Sequence, residues 1–536
     1  MEYPNTISPK NPPRKRPSLM HGAASAQLDL FSAPSEETHS LETTRPAPAD
    51  SLADHIRQRL AYSSVRRRQG VVHRAAMPPA EIRALCTELR ARSERGDSKA
   101  TLTILGLLVG VAPSRAPGIP LQSGPTTAVS LDPQRAWIRI DYAQVFMGGA
   151  ANVPGNETAL PATHVLVKPL PVFLAQIITA TYARNPDART VGDLFGCDAP
   201  DGCEPLDSNI HGRLRATAAR LSSGLAALIL HLGIDRYDAA LVSGDMSLVP
   251  RSRFFYVRSD AERFVSACRR TFGELGWGEC APLDTVLPFG SQVVPTRASI
   301  QAVHRRLAEQ LEASRPGRKR ELEALIIHHN QFVIAAGWFL SFVIGSREMR
   351  RVDVFADRCW PAMTVMEYGD KRSGPFRRLQ PVLLCTQAQQ QVTAVWNHLA
   401  HLSALVRKLG VNPAAPWLQQ LNAALHQRAV PLLFLIRRDK PIPLATAHCQ
   451  LGVDRAIRLA PNAGRHFWQT TLLDCGVSSE AIDVWARHAN GGTEPMTSTS
   501  IASVDTIRQQ VCRVQDQVLG EMGLAAFQGL GRARQQ

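Results

Sequence analysis

The stretch from Leu322 to Gly345 constrains this chain more than any other. Leu322–Val343 carries a long helical pattern that ends in the apolar run FLSFVI, and a glycine follows at 345. Glycine there suits the left-handed turn that closes a helix, and Arg347 would project from that turn. Arg297–Leu311 is a second long helical pattern just upstream. Earlier, helical periodicity marks Pro79–Ser93, Leu102–Val111, Leu170–Ala183, Leu214–Leu232 and Asp235–Val242, while Ala128–Asp132 and Ala136–Ile140 are β-like. After Gly345 the pattern predicts a hairpin, a helix, a short strand and two more helices. The fold class expected is α+β, mainly α with small β-hairpins or sheets. The strict strand–helix alternation of a parallel sheet is missing.

At 536 residues the chain exceeds one ordinary core. The expected organisation is a basic, Pro- and Ser-rich disordered tail over 1–75, a mixed helical domain over 76–285, a helical linker over 286–320 and a final domain over 321–536. The tail carries Arg14-Lys15-Arg16 and Arg66-Arg67-Arg68, but too little apolar surface to offset the entropy of ordering. The net charge of +15 favours an anionic partner. Nucleic acid is the commonest such partner, with an anionic membrane surface or simple solubility as alternatives. The ten cysteines are scattered, and the Cys197/Cys203 spacing matches no common zinc pattern, so buried reduced thiols are expected and no metal or cofactor. No run of about 18 apolar residues and no signal-peptide core is evident, which predicts a soluble, intracellular protein with no membrane partner.

Four separated pieces of the second half carry chemistry together. Arg347 follows the helix-ending glycine. Lys371 falls at or near the tip of a hairpin within EYGDKRSGPFRRLQPV (367–382), punctuated by Gly369 and Ser373-Gly374-Pro375. Asn462–Gly476 reads NAGRHFWQTTLLDCG. The last piece, VSSEAIDVWARH, has Ser478 as an N-cap, Glu480 in the first turn and His488 at its end. Each residue alone has an ordinary explanation as a surface charge or a helix-dipole partner.

In order and spacing they resemble the tyrosine-recombinase, or phage-integrase, superfamily. Gly476 lies eleven residues after Arg465, and His488 lies twelve after Gly476. The resemblance runs from about Asn330 to Ser503, roughly a third of the chain. It departs from the family pattern twice. Asn462 stands where the first histidine of the His-x-x-Arg motif belongs. The nucleophilic tyrosine would fall near Thr497, yet no tyrosine follows Tyr368. NAGRHF and RHANGGTEPMTSTS more narrowly resemble large integrase-like proteins of mobile elements that lack that tyrosine.

The resemblance implies a site for a DNA phosphodiester. Arg347 and Arg465 would clamp phosphate oxygens, since a guanidinium offers a rigid fork of donors. Lys371 would protonate the departing oxygen, and His488 and Asn462 would donate to non-bridging oxygens. Arg377, Arg378 and His466 would contact DNA. Three outcomes stay open for the attacking group. It is absent and the domain only binds, or Ser498, Thr499 or Ser500 attacks with Glu494 and Asp505 the only carboxylates close by in sequence, or a tyrosine comes from elsewhere in the chain or from another subunit. The function expected is DNA binding in site-specific recombination or integration of a mobile element, as a non-cleaving subunit beside active recombinase or element-encoded partners. The protein would be cytoplasmic, nucleoid-associated and perhaps oligomeric on double-stranded DNA. A non-catalytic regulator of excision or expression is the opposing class, and an RNA-binding helical scaffold a third.

The first half also echoes the second, as a degenerate repeat of the same fold. LGLLVGVAPSRA (105–116) parallels the helix–glycine–arginine piece, HVLVKPLP (164–171) the hairpin's return strand, and Gly233 to Asp245 the Gly-to-His spacing. Tyr256 follows eleven residues later. Ser222 takes the place of Arg465, so Tyr256 has no arginine pair in its own half, and a buried structural role is expected for it.

Overall fold

The computed structural model describes residues 77–531, apart from 123–126, 148–157, 198–217, 284–286, 318–320, 348–353, 360, 369–379, 446–447, 450–452 and 489–502. In chain order the first half supplies helices α1 (Pro79–Glu94) and α2 (Ser98–Val109), strands β1 (Val129–Asp132) and β2 (Trp137–Asp141), α3 (Tyr142–Met147), β3 (Val165–Pro169), α4 (Val172–Arg184), α5 (Val191–Phe195), α6 (Ala218–His231), α7 (Arg236–Ser243), α8 (Arg251–Tyr256), β4 (Arg258–Ser259), α9 (Ala261–Glu274) and β5 (Phe289–Gly290). The second half has α10 (Arg297–Ala313), α11 (Leu322–Val343), β6 (Val365–Tyr368), β7 (Gln380–Leu383), α12 (Thr386–Lys408), α13 (Pro416–Leu425), β8 (Phe434–Arg437), β9 (Lys440–Pro443), α14 (Ala463–Asp474), α15 (Ser479–Trp485) and α16 (Val504–Glu521). The protein is mixed α+β and mostly helical, and its sheets are small and antiparallel: β1–β2–β3, β4–β5, β6–β7 and β8–β9.

α11 is the centre of the second half. Phe332, Val333, Ala335, Ala336, Phe339, Leu340 and Val343 are fully buried, and α10, α12, α14 and β8 pack around the helix. Each large side chain contributes about 1.5–3 kcal/mol of hydrophobic stabilisation. Among the described residues α11 is the one helix long and apolar enough to cross a membrane, and 72% of its most apolar window is buried inside the protein.

Local chemistry sets the element ends. Asp97 caps α2 by accepting from the amides of Lys99 and Ala100. Ser478 caps α15 through the Ala481 amide. The segment after α12 departs from the sequence expectation, because one anticipated strand is a hairpin and α13 precedes it. Arg438 and Asp439 at the hairpin turn both have positive φ, 48° and 58°. This left-handed pair usually advertises itself through glycine or asparagine, and here it does not.

The described residues belong to one compact unit, and the two halves share its interior. α10, expected as a linker, buries Ile300, Val303, Leu307 and Leu311. Asp235, at the start of α7, accepts from the Ser479 amide at 3.1 Å and the Ser479 hydroxyl at 2.8 Å, which ties α7 to α15. The Arg258 amide donates to Thr470 Oγ1 of α14 at 2.9 Å.

Candidate functional site

The end of α11 gathers the site. A helix leaves its last carbonyls without intrahelical partners. Here Arg487 donates to Ile344 O at 2.9 Å and to Gly345 O at 2.7 Å, and Arg465 Nε donates to Gly345 O at 3.0 Å. Gly345 has φ 56°, and a Cβ there would lie 2.3 Å from the Trp485 ring. Gly464 plays the matching part on α14, since a Cβ would lie 2.5 Å from Phe342 O. The two glycines let the α11 terminus, α14 and α15 meet backbone to backbone.

Arg465 is fully buried in the first turn of α14. Its Nη1 lies 3.4 Å from His488 Nε2, and its guanidinium carbon lies 5.4 Å from the centroid of the Tyr256 ring. Asn462 precedes α14 with φ 59°, a left-handed conformation asparagine tolerates, and its carbonyl accepts from the Arg465 and His466 amides. His488 follows Arg487, itself left-handed at φ 59°. The His488 side chain is 5% exposed, with Ser252 Oγ 3.0 Å from Nε2 and Asp483 Oδ1 3.9 Å from Nδ1. Arg347, two residues past Gly345, is half-buried.

His466 faces the first half. Ser291 Oγ lies 2.7 Å from its Nδ1, the Tyr256 backbone carbonyl accepts from the ring, and the rings of Phe255 and Tyr256 flank it at 5.2 and 4.7 Å. Burial, with the positive Arg465 beside it, pushes His466 down to about 3, so it is neutral at physiological pH. It occupies the interior rather than a surface open to DNA. Burial likewise holds His329 down to about 4 and His398 well below the ordinary value. His329 Nδ1 and His398 Nε2 lie 3.0 Å apart, His329 Nε2 donates to Phe434 O, and His398 Nδ1 accepts from the Leu530 amide.

The structure thus brings Arg465, His488, His466 and Tyr256 together, with Asn462 fixing the entry of α14 and Arg347 just beyond the α11 terminus. Lys371, Arg377, Arg378, Ser498, Thr499 and Ser500 lie outside the described residues, as does Glu494. Tyr256 has the buried place expected of it, but packed on Arg465 of the other half. Sequence reasoning missed Ser252, Arg253, Asp235 and Arg487. Arg253 is wholly buried, donating to Ser479 O at 3.0 Å and to the Asp483 carboxylate. The first three residues reach the site from 226 or more positions away, so no local spacing could announce them. Arg487, beside His488, is given away by nothing in its neighbours.

Among the described residues no group of three or more His, Cys, Asp or Glu is placed to hold a metal ion. The nine described cysteines are free, and burial pushes thiols such as Cys86 and Cys359 up to about 12, where they are inert. Comparison of the chain with known protein families, curated proteins and solved structures returns no match.

Proposed function

We propose that this protein binds double-stranded DNA and takes part in site-specific recombination or integration of a mobile element, with a tyrosine-recombinase-like second half that does not cut DNA by itself. One observation carries the reading. Arg465 and His488, paired by the sequence resemblance on spacing alone, meet at 3.4 Å at the glycine-ended terminus of α11. Guanidinium, imidazole and a helix end bearing a further arginine at 347 suit a phosphodiester. The net charge of +15 supplies long-range attraction to the same polyanion. The second half has no tyrosine after Tyr368 to attack with, so partner recombinase subunits would do the cutting on this reading.

The complete burial of Arg465 favours a second reading, a DNA-binding regulator that occupies element ends without chemistry. A direct test is binding of the full chain to labelled duplex DNA over a salt series, with RNA as competitor. Tight, salt-sensitive binding with a preference for the duplex is expected. Equal competition by RNA would sink both DNA readings in favour of an RNA-binding scaffold.

A further inference from the structure

The contact between α8 and His488 sets a hydroxyl against a base. Ser252 Oγ lies 3.0 Å from His488 Nε2, a ring 236 positions away in the chain. The polarity of that ring follows from its neighbours. Arginine carries only donors, so the nitrogen facing Arg465 Nη1 at 3.4 Å is the one with the free lone pair. The proton then sits on Nδ1, on the side of the Asp483 carboxylate at 3.9 Å. Ser252 therefore directs its own proton into the Nε2 lone pair, and its oxygen lone pairs are left to attack. A hydroxyl, a base in hydrogen-bond reach and a carboxylate behind the base are the parts of an activated nucleophile.

Three further features separate this from an incidental contact. Ser252 is half-buried rather than sealed, so its oxygen can be approached. Its neighbour Arg253 is wholly buried and bonded to Asp483 and Ser479, which fixes the register of α8 against α15. Phe255, on the same short helix, is 39% exposed and offers an aromatic face to a base beside the site. Tyr256 is the other hydroxyl nearby, but it meets Arg465 with its ring, and its backbone carbonyl is what His466 engages.

The geometry points to Ser252 as a nucleophile for a DNA phosphodiester, with His488 as its general base, so that the first half supplies the attacking group the second half lacks. This rests on the reading of the Arg465–His488 cluster as a phosphate site. In the step, Ser252 Oγ bonds to phosphorus and its proton passes to His488 Nε2. The phosphorus–oxygen bond to one strand end breaks, and that oxygen leaves as a hydroxyl with the proton His488 returns. The product is a serine phosphodiester with no net change of charge or oxidation state. Arg465 is a positioning residue, holding Nε2 unprotonated and facing the serine.

Two measurements on the full chain test this. A fluorophosphonate probe, which reacts with activated hydroxyls and needs no DNA, is expected to label the peptide carrying Ser252. Labelling should vanish in Ser252→Ala and fall about 100-fold or more in His488→Gln, the cost of losing a general base. Both variants are checked for a native circular dichroism spectrum and melting. A nicked duplex that loses its short strand on cleavage is then expected to leave a covalent adduct in the wild type and in Tyr256→Phe, but not in Ser252→Ala. Probe labelling that is absent, or unchanged in Ser252→Ala, overturns the activated serine. An adduct that survives Ser252→Ala and disappears in Tyr256→Phe overturns it in favour of the tyrosine. Duplex bound tightly with no adduct overturns the nucleophile and leaves the DNA-binding reading standing. Intact labelling with no DNA binding overturns the substrate class and the DNA reading together.

Discussion

The two halves end their central helices against a neighbour in the same way but seal the join with different cations. In the first half α2 ends at Gly110, whose backbone meets Gly244 at the end of α7 so closely that a Cβ on Gly110 would lie 2.1 Å from Gly244 O. Lys168 of β3, fully buried, donates to Leu108 O, Leu241 O and Val242 O, closing both helix ends with one ammonium. In the second half α11 ends at Gly345 against Trp485, and Arg465 and Arg487 share the carbonyls. The lysine spends all its donors on backbone and touches no other side-chain site. The arginines, with more donors each, satisfy the helix end and still reach His488 and the Tyr256 and Tyr368 rings. A join that is purely structural in the first half carries titratable and reactive groups in the second.

The largest test of this contrast is steric. Gly110→Ala drives a methyl into backbone that cannot yield, at φ 78°, and should cost about 4 kcal/mol or prevent folding. Gly345→Ala meets the Trp485 side chain instead and should cost about 3 kcal/mol. Denaturant midpoints measure both, and equal, small losses would break the comparison.

Next come the cations. Lys168→Met and Arg487→Met each strand buried helix-end carbonyls and should cost about 3 kcal/mol. Lys168 adds a signature of its own. Burial lowers it from 10.5 to about 8, so its unfolded form binds the extra proton between those values. The stability this contributes is present above 10.5 and lost as pH falls through 8. Wild type should therefore gain on Lys168→Met as pH rises from 8 to 10.5, and a constant gap would remove the buried-ammonium account.

His466 should show the acid counterpart. Its folded value of about 3 lies below the ordinary 6.5, so its contribution is present above 6.5 and lost as pH falls toward 3. His466→Gln should be less stable than wild type at pH 8 by about 1–2 kcal/mol, with Ser291 losing its partner. That gap should narrow below pH 6.5, by up to about 1.4 kcal/mol per pH unit. A gap that widens on acidification would count against a neutral interior histidine. The smallest effect belongs to Arg347→Ala. It should leave stability unchanged and reduce the salt dependence of DNA binding by about one phosphate contact.

Much of the fold was legible. The α11 pattern, its stop at Gly345, the N-caps at Asp235 and Ser478 and the antiparallel strands follow from periodicity and local capping, which act over a few residues. The β8–β9 hairpin was half-read because Arg438 and Asp439 take left-handed conformations without a glycine. Of the site, the pairing of Arg465 with His488 was within reach of spacing, since both lie on adjoining helices. Ser252, Arg253 and Asp235 were not. They belong to the other half, and only packing decides which surfaces two halves press together.

What the sequence determined by itself, then, is a glycine-ended apolar helix flanked by Arg347, Arg465 and His488, and the absence of a later tyrosine. Those are facts of order and periodicity. That Arg465 is sealed inside, that Tyr256 lies on it and that Ser252 turns its hydroxyl toward His488 came from the tertiary structure alone. Helix periodicity fixes which face of α14 is buried, but the partner for that face is chosen by shape and charge across the whole interior. No single segment encodes that choice.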